Sequence, residues 1–159
     1  MQTATHPLVT GSTGIRIKSI LVPIDFSTAS EKALDYALQI SEAFGSNITL
    51  FHVVESLATP GFPDLPPASE EAEFSDSEKK LHQLAASIGD WGVNWKLTSG
   101  VAGHEIIEAA KEEDVDLIVM GTNGLTGWKH FSIGSTAERV ARAACCPVLV
   151  VREKERKFI

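Results

Sequence analysis

Five short apolar runs, separated by segments of helical spacing, set the narrowest limits on what this chain can fold into. The runs are residues 17–24, 48–54, 93–98, 117–120 and 148–151, and the fourth is apolar at every position. Strands that are apolar on both faces belong to parallel sheets covered on both sides. Between the first two runs, Thr28 and Glu31 match a capping box, and Ala33, Leu34, Ala37, Leu38 and Phe44 follow at helical spacing as far as Gly45. Ser75 and Glu78 open a second helix, with Leu81, Leu84, Ala85 and Ile88 as its apolar face. Residues 105–113 carry Ile106, Ile107 and Ala110 on one side. Ser135 and Glu138 open a fourth helix with Ala137, Val140, Ala141 and Ala144. Strict alternation of strand and helix, with right-handed crossovers, predicts a doubly wound α/β fold. Its core is a five-stranded parallel sheet with helices on both faces, and five strands suit a flavodoxin-like topology better than a six-stranded dinucleotide fold.

The chain has 159 residues, a common length for one domain with one core. The expected division is a flexible lead at 1–16, one domain at 17–151 and a charged tail at 152–159. Fourteen Lys and Arg against 21 Asp and Glu leave a formal charge of −7. That balance argues against a sequence-independent grip on nucleic acid or on an anionic membrane, which needs a basic face. No apolar run approaches the roughly 20 residues of a membrane helix, and residues 1–15 lack the basic start and apolar block of a secretory signal. The two cysteines, Cys145 and Cys146, are adjacent, with no C-x-x-C spacing. The expectation is a reduced, cytoplasmic protein in which both are small buried fillers.

Open parallel sheets bind ligands beyond the carboxyl ends of their strands, where strand order reverses. After the first strand stands Asp25, then Phe26-Ser27-Thr28. After the fourth stands Gly121-Thr122-Asn123-Gly124, and the next helix opens with Gly134-Ser135-Thr136. Helix N-termini offer unpaired N–H groups and partial positive charge to a phosphate, and glycines admit close approach of oxygen atoms. The same residues also read as a plain turn and a plain cap. No G-x-x-x-x-G-K-[ST] occurs, which excludes a P-loop ATPase, and no G-x-G-x-x-G follows a strand.

From Ile17 to Val151 the chain resembles the universal stress protein family. The likeness rests on Ile20-Leu21-Val22-Pro23-Ile24-Asp25-Phe26-Ser27, Leu50-Phe51-His52-Val53-Val54 and Asp116-Leu117-Ile118-Val119-Met120-Gly121. It closes on Gly134-Ser135-Thr136-Ala137-Glu138-Arg139-Val140 and Cys146-Pro147-Val148-Leu149-Val150-Val151. The family's ATP-binding branch is marked by G, two residues, G, nine residues, then G and Ser/Thr; Gly121, Gly124, Gly134 and Ser135 match it. The resemblance implies an adenine nucleotide alpha hydrolase-like version of the fold and an ATP site. There Pro23 and Asp25 lie beside adenine and ribose, and Val53 meets adenine through its backbone. Met120 and Gly121 flank the nucleoside, while Thr122, Gly124, Gly134, Ser135 and Thr136 hold phosphates. Mg²⁺ or Mn²⁺ would be carried on the phosphates. The resemblance also implies a homodimer through the last strand and work as a stress sensor or regulator on an unidentified protein partner. The chain departs from the family pattern at Asn123 and in Val101-Ala102-Gly103-His104.

No residue stands out as a base for hydrolysis, so ATP turnover is expected to be slow or absent. The alternatives are a nucleotide-free dimeric scaffold and a weak ATPase. Asp25 lacks the acidic pair of a phosphoacceptor site, and Phe26-Ser27-Thr28 is not the Ser-Gly-Gly loop of adenylating enzymes. His104-Glu105 opens like a zinc helix, but Glu108 stands where the second His would be. His52 reads as a hydrogen-bonded core histidine, Trp91 and Trp95 as core, and Trp128, Lys129 and His130 as part of the phosphate-side loop.

Overall fold

Each apolar run becomes one strand of a single parallel sheet. The computed structural model describes residues 14–55, 67–89, 92–122 and 133–153. The elements are β1 (Ser19–Pro23), α1 (Thr28–Phe44), β2 (Asn47–Val54), α2 (Pro67–Ser87), β3 (Val93–Ser99), α3 (Ala102–Glu112), β4 (Leu117–Gly121), α4 (Ser135–Ala143) and β5 (Val148–Val151). The strands lie side by side in the order β3-β2-β1-β4-β5, all parallel. The flavodoxin order 2-1-3-4-5 would set β3 beside β1. Here β3 is at the edge, which suits its exposed Asn94 and Lys96. The wholly apolar β4 takes the buried place next to β1. The chain runs outward from β1 to β3, then returns past β1, so the order reverses between β1 and β4.

Right-handed crossovers put α1 and α2 on one face and α3 and α4 on the other. The first core holds Ile20, Val22, Leu50 and Val119 against Ala33, Leu34, Ala37 and Leu81. The second holds Leu21, Phe51, Ile118 and Met120 against Ile106, Ala110, Ala137 and Val140. Alternate residues of β1, β2 and β4 therefore face opposite layers, as a period of two requires.

The helices begin where backbone geometry allows, and three capping boxes expected from the sequence do not form. The N-cap of α1 is Ser27, whose hydroxyl accepts from the Ser30 N–H; Thr28 is already helical. Helix α2 starts at Pro67, so Ser75 lies inside it. Proline costs no hydrogen bond at the first helical position, and the early turns lack the apolar face that would have revealed them. Helix α4 is capped by Gly134 with no side-chain bond, and Ser135 is its first residue; Glu138 pairs with Arg142 instead, Oε1 to Nη2 at 2.9 Å. Trp95 packs half-buried at the margin of the first core, edge-on to His82. Trp91, the lead at 1–13, the segment 56–66 and the tail at 154–159 lie outside the described residues.

At the end where the strands begin, Asp116 fastens β4 to β1. Its Oδ2 accepts from the Lys18 N–H at 2.7 Å and the Ser19 N–H at 3.1 Å, and its own N–H donates to the Ser19 carbonyl at 3.1 Å. Those two backbone donors hold its carboxyl below the usual carboxylate range. Cys145 is exposed and Cys146 half-buried, so neither is the buried filler expected. Burial pushes the Cys146 thiol up, and the neighbouring Cys145 adds to the effect. Among the described residues no helix is long and apolar enough to cross a membrane.

Candidate functional site

A cleft of about 400 Å³ opens beyond the ends of β1, β2 and β4, at the reversal of strand order. Size and place both suit a small-molecule site. Its lining includes Pro23, Asp25, Val53, Met120, Gly121, Thr122, Gly134, Ser135 and Thr136. Of the site residues expected from sequence, only Gly124 is missing from this set, and it lies outside the described residues with Asn123, Trp128, Lys129 and His130. Register explains the convergence. Pro23 pairs with Phe51 and Leu21 with Ile118. Two residues further along each strand come Asp25, Val53 and Met120, on the layer of α3 and α4.

The turn after β1 aims Asp25. Phe26 has φ 61°, a left-handed conformation that costs a bulky residue on the order of 1–3 kcal/mol. That reversal lets the Ser27 N–H and hydroxyl both donate to Asp25 Oδ1, the former at 3.0 Å. Among the described residues Oδ2 has no hydrogen-bond partner. The Ser30 hydroxyl, itself lining the cleft, donates to the Ser27 carbonyl at 2.9 Å and accepts from the Asp25 N–H at 3.4 Å. His52 supports the turn from β2. Its Nδ1 donates to the Ile24 carbonyl at 2.6 Å, which fixes the proton on that nitrogen, and its ring lies 4.8 Å from that of Phe26. Lys80 of α2 sits 5.9 Å from the Phe26 ring centroid. His52 is thus the hydrogen-bonded histidine expected, and it also borders the cleft.

The other wall is the passage from β4 to α4. The Thr122 N–H donates to the Val151 carbonyl at 2.9 Å, and the Gly134 N–H to the Thr122 carbonyl at 2.7 Å, so both ends of the intervening segment are pinned together. Gly121 is glycine for a reason the sequence did not reveal. A Cβ there would lie 2.8 Å from the Ala29 carbonyl carbon, so this glycine lets α1 approach β4. Gly134 has ordinary dihedrals, φ −59° and ψ 152°. Gly134 gives α4 no side-chain cap, and its first residues, Ser135 to Ala137, line the cleft, where a helix N-terminus brings partial positive charge.

Sequence reasoning missed the apolar floor and the acidic rim. Phe51, Ile106 and Ala137 line the cleft and belong to the second core; their helical and strand periodicity marked them as core only. Glu55 and Glu73 also line it. Glu73 carried no signal, since the expected second helix began after it. With Asp25 these give three carboxylates, and the described lining contains no Lys or Arg. Donors for an anion within this lining are therefore backbone N–H groups and hydroxyls such as those of Ser135 and Thr136. His104 and Glu105 pair with each other at the start of α3, Nδ1 to Oε1 at 3.3 Å. Among the described residues no cluster of His, Cys, Asp and Glu is able to hold a metal.

Residues 16–152 match the Universal stress protein family. Universal stress protein MJ0531 of Methanocaldococcus jannaschii is 35% identical over 147 residues, covering 88% of this chain and 85% of its own. The solved universal stress protein UspA from Lactobacillus plantarum superposes with a TM-score of 0.77 at 28% identity, over 87% of this chain and all of the other. A universal stress protein solved in complex with cAMP shares the fold, with a TM-score of 0.62 at 22% identity, over 86% of this chain and 98% of its own.

Proposed function

The chain belongs to the universal stress protein family, and from that premise we propose that it is an ATP-binding regulator. One observation carries the reading: a single cleft presents an oriented carboxylate at one side and an uncapped helix N-terminus at the other. A nucleotide has the matching polarity, hydroxyl and amine donors at one end and phosphate oxygens at the other. Pro23, Asp25, Val53 and Met120 take the nucleoside. Gly121, Thr122, Gly134, Ser135 and Thr136 take the phosphates, with Gly124 completing the loop. A Mg²⁺ or Mn²⁺ ion travels on the phosphates. Thr122, Ser135 and Thr136 are hydroxyl residues and not bases, so hydrolysis is slow or absent. The protein acts in the cytoplasm on a protein partner, and nucleic acid and membrane are not its ligands.

The same reading includes a homodimer through β5. This strand is a sheet edge, and Val148, Leu149 and Val150 are half-buried apolar residues. Unpaired edge groups invite another strand, and a twofold contact satisfies both edges at once. The Pro147 and Val151 carbonyls accept from β4, so by alternation Val150 turns its N–H to the open edge, and Val150→Pro is expected to remove an edge donor and split the dimer. Light scattering checks this: a parent mass near the single-chain 17.1 kDa rules the dimer out.

Asp25→Ala tests the site. Loss of a charged hydrogen bond is worth about 1.5–3 kcal/mol, roughly ten- to hundredfold in affinity. The loss is expected for ATP and not for tripolyphosphate in calorimetric titration, with cAMP as a third competitor. Equal loss for ATP and tripolyphosphate moves Asp25 to the phosphates, and no binding of any of them to the parent protein overturns the reading.

A further inference from the structure

Two adjacent thiols at the opposite end of the sheet carry an inference independent of the cleft. Cys145 and Cys146 are the chain's two cysteines, and both are free. They form the bend between α4 and β5, after Ala144 in extended backbone (φ −64°, ψ 146°) and before Pro147. Cys145 is exposed and Cys146 half-buried, so a small solute reaches the pair from solvent.

Closing them as a disulfide is geometrically poor. Consecutive Cα atoms are about 3.8 Å apart across a trans peptide, short of the roughly 4.4–6.8 Å that disulfides span. An atom inserted between the sulfurs lengthens the bridge and relieves that misfit. Tetrahedral zinc wants four protein ligands in a structural site and three in a catalytic one, and among the described residues no third His, Cys, Asp or Glu joins these two. The centre that fits is thiophilic, needs two sulfurs and brings its own third substituent.

We propose that Cys145 and Cys146 together form a dithiol site for a trivalent, monosubstituted arsenical. Each thiol displaces one hydroxyl from arsenic. Two As–O bonds break, two As–S bonds form, and each thiol proton leaves with a hydroxyl as water. Arsenic stays trivalent and no oxidant or reductant is consumed. Once the first sulfur is bound, the second attack is intramolecular, so the pair holds far more tightly than either thiol alone.

The test uses the full chain and phenylarsine oxide, with thiol counting and intact mass as readouts. The expected result is one arsenical per chain, loss of both countable thiols, release by 2,3-dimercaptopropanol, and resistance to the same concentration of a monothiol. Cys145→Ser and Cys146→Ser are each expected to bind roughly 100-fold more weakly. Either variant binding as tightly as the parent overturns the proposal. So do two thiols still countable in excess arsenical, or an arsenic-free mass two hydrogens short.

Discussion

The two ends of the sheet are built on opposite terms. Where the strands begin, polar groups are paired within the chain. Asp116 takes two backbone N–H groups of the β1 entry, Asn47 N–H donates to the Lys18 carbonyl at 2.7 Å, and the buried Ser41 and Ser46 hydroxyls donate to the Ser46 and Ile17 carbonyls, each at 2.6 Å. Where the strands end, Gly134 gives α4 no side-chain cap, Asp25 Oδ2 has no hydrogen-bond partner among the described residues, and Phe26 holds a strained turn. The difference follows from parallel topology. Every crossover helix leaves from the C-terminal end of a strand, so all helix N-termini gather there, and with them the unpaired donors and the positive ends of the dipoles. One end closes the fold, and the other is left with groups for a ligand to satisfy.

Substitutions at each end separate these roles. The largest effect is expected from Ser135→Pro. Gly134 already has the extended backbone that a residue before proline prefers, and proline is tolerated at the first helical position. The helix survives while one N–H and one hydroxyl leave the cleft. Nucleotide affinity should fall roughly tenfold or more with little change in Tm, as titration and thermal melts will read. Unchanged affinity would remove the α4 N-terminus from the binding site.

Asp116→Ala reverses the pattern. It should lower Tm by roughly 2–4 °C and leave nucleotide affinity alone. The carboxyl is depressed in the folded state, so its stabilising contribution is complete above the unfolded value of about 3.9 and is lost as pH falls through the folded value. The substituted protein should therefore lose less stability on acidification below about pH 4 than the parent. Affinity and Tm falling together would mean that the two ends are coupled through β4.

The smallest effect lies within the closed end. Cys145 is exposed, while burial raises the Cys146 thiol. Iodoacetamide at mildly alkaline pH should therefore label Cys145 several-fold faster, because the thiolate is the nucleophile. Peptide mapping gives the order, and faster labelling of Cys146 would contradict its burial.

Much of the cleft lining could be read from the chain because its residues sit at strand ends, where period and punctuation are strongest. Asp25 follows the β1 run directly, and Gly121 ends the β4 run. Helix starts were read less well. Ser27 displaced Thr28 as the cap of α1 because its hydroxyl serves Asp25 and Ser30 together, a geometry that no spacing rule contains. Glu55 and Glu73 escaped notice because they come to the cleft from elements whose neighbours in space are far away in sequence.

The sequence by itself determined the strand and helix alternation, the two apolar layers and the end of the sheet where a ligand could enter. These depend on periodicity and on chain direction, which are local properties. Tertiary structure decided that β3 lies outside β2, that Gly121 yields space to Ala29 of α1, and that Asp116 joins β4 to Lys18 and Ser19, 98 and 97 positions earlier. Each of these depends on the distance between atoms remote in the chain, and that distance exists only once the sheet has chosen its order.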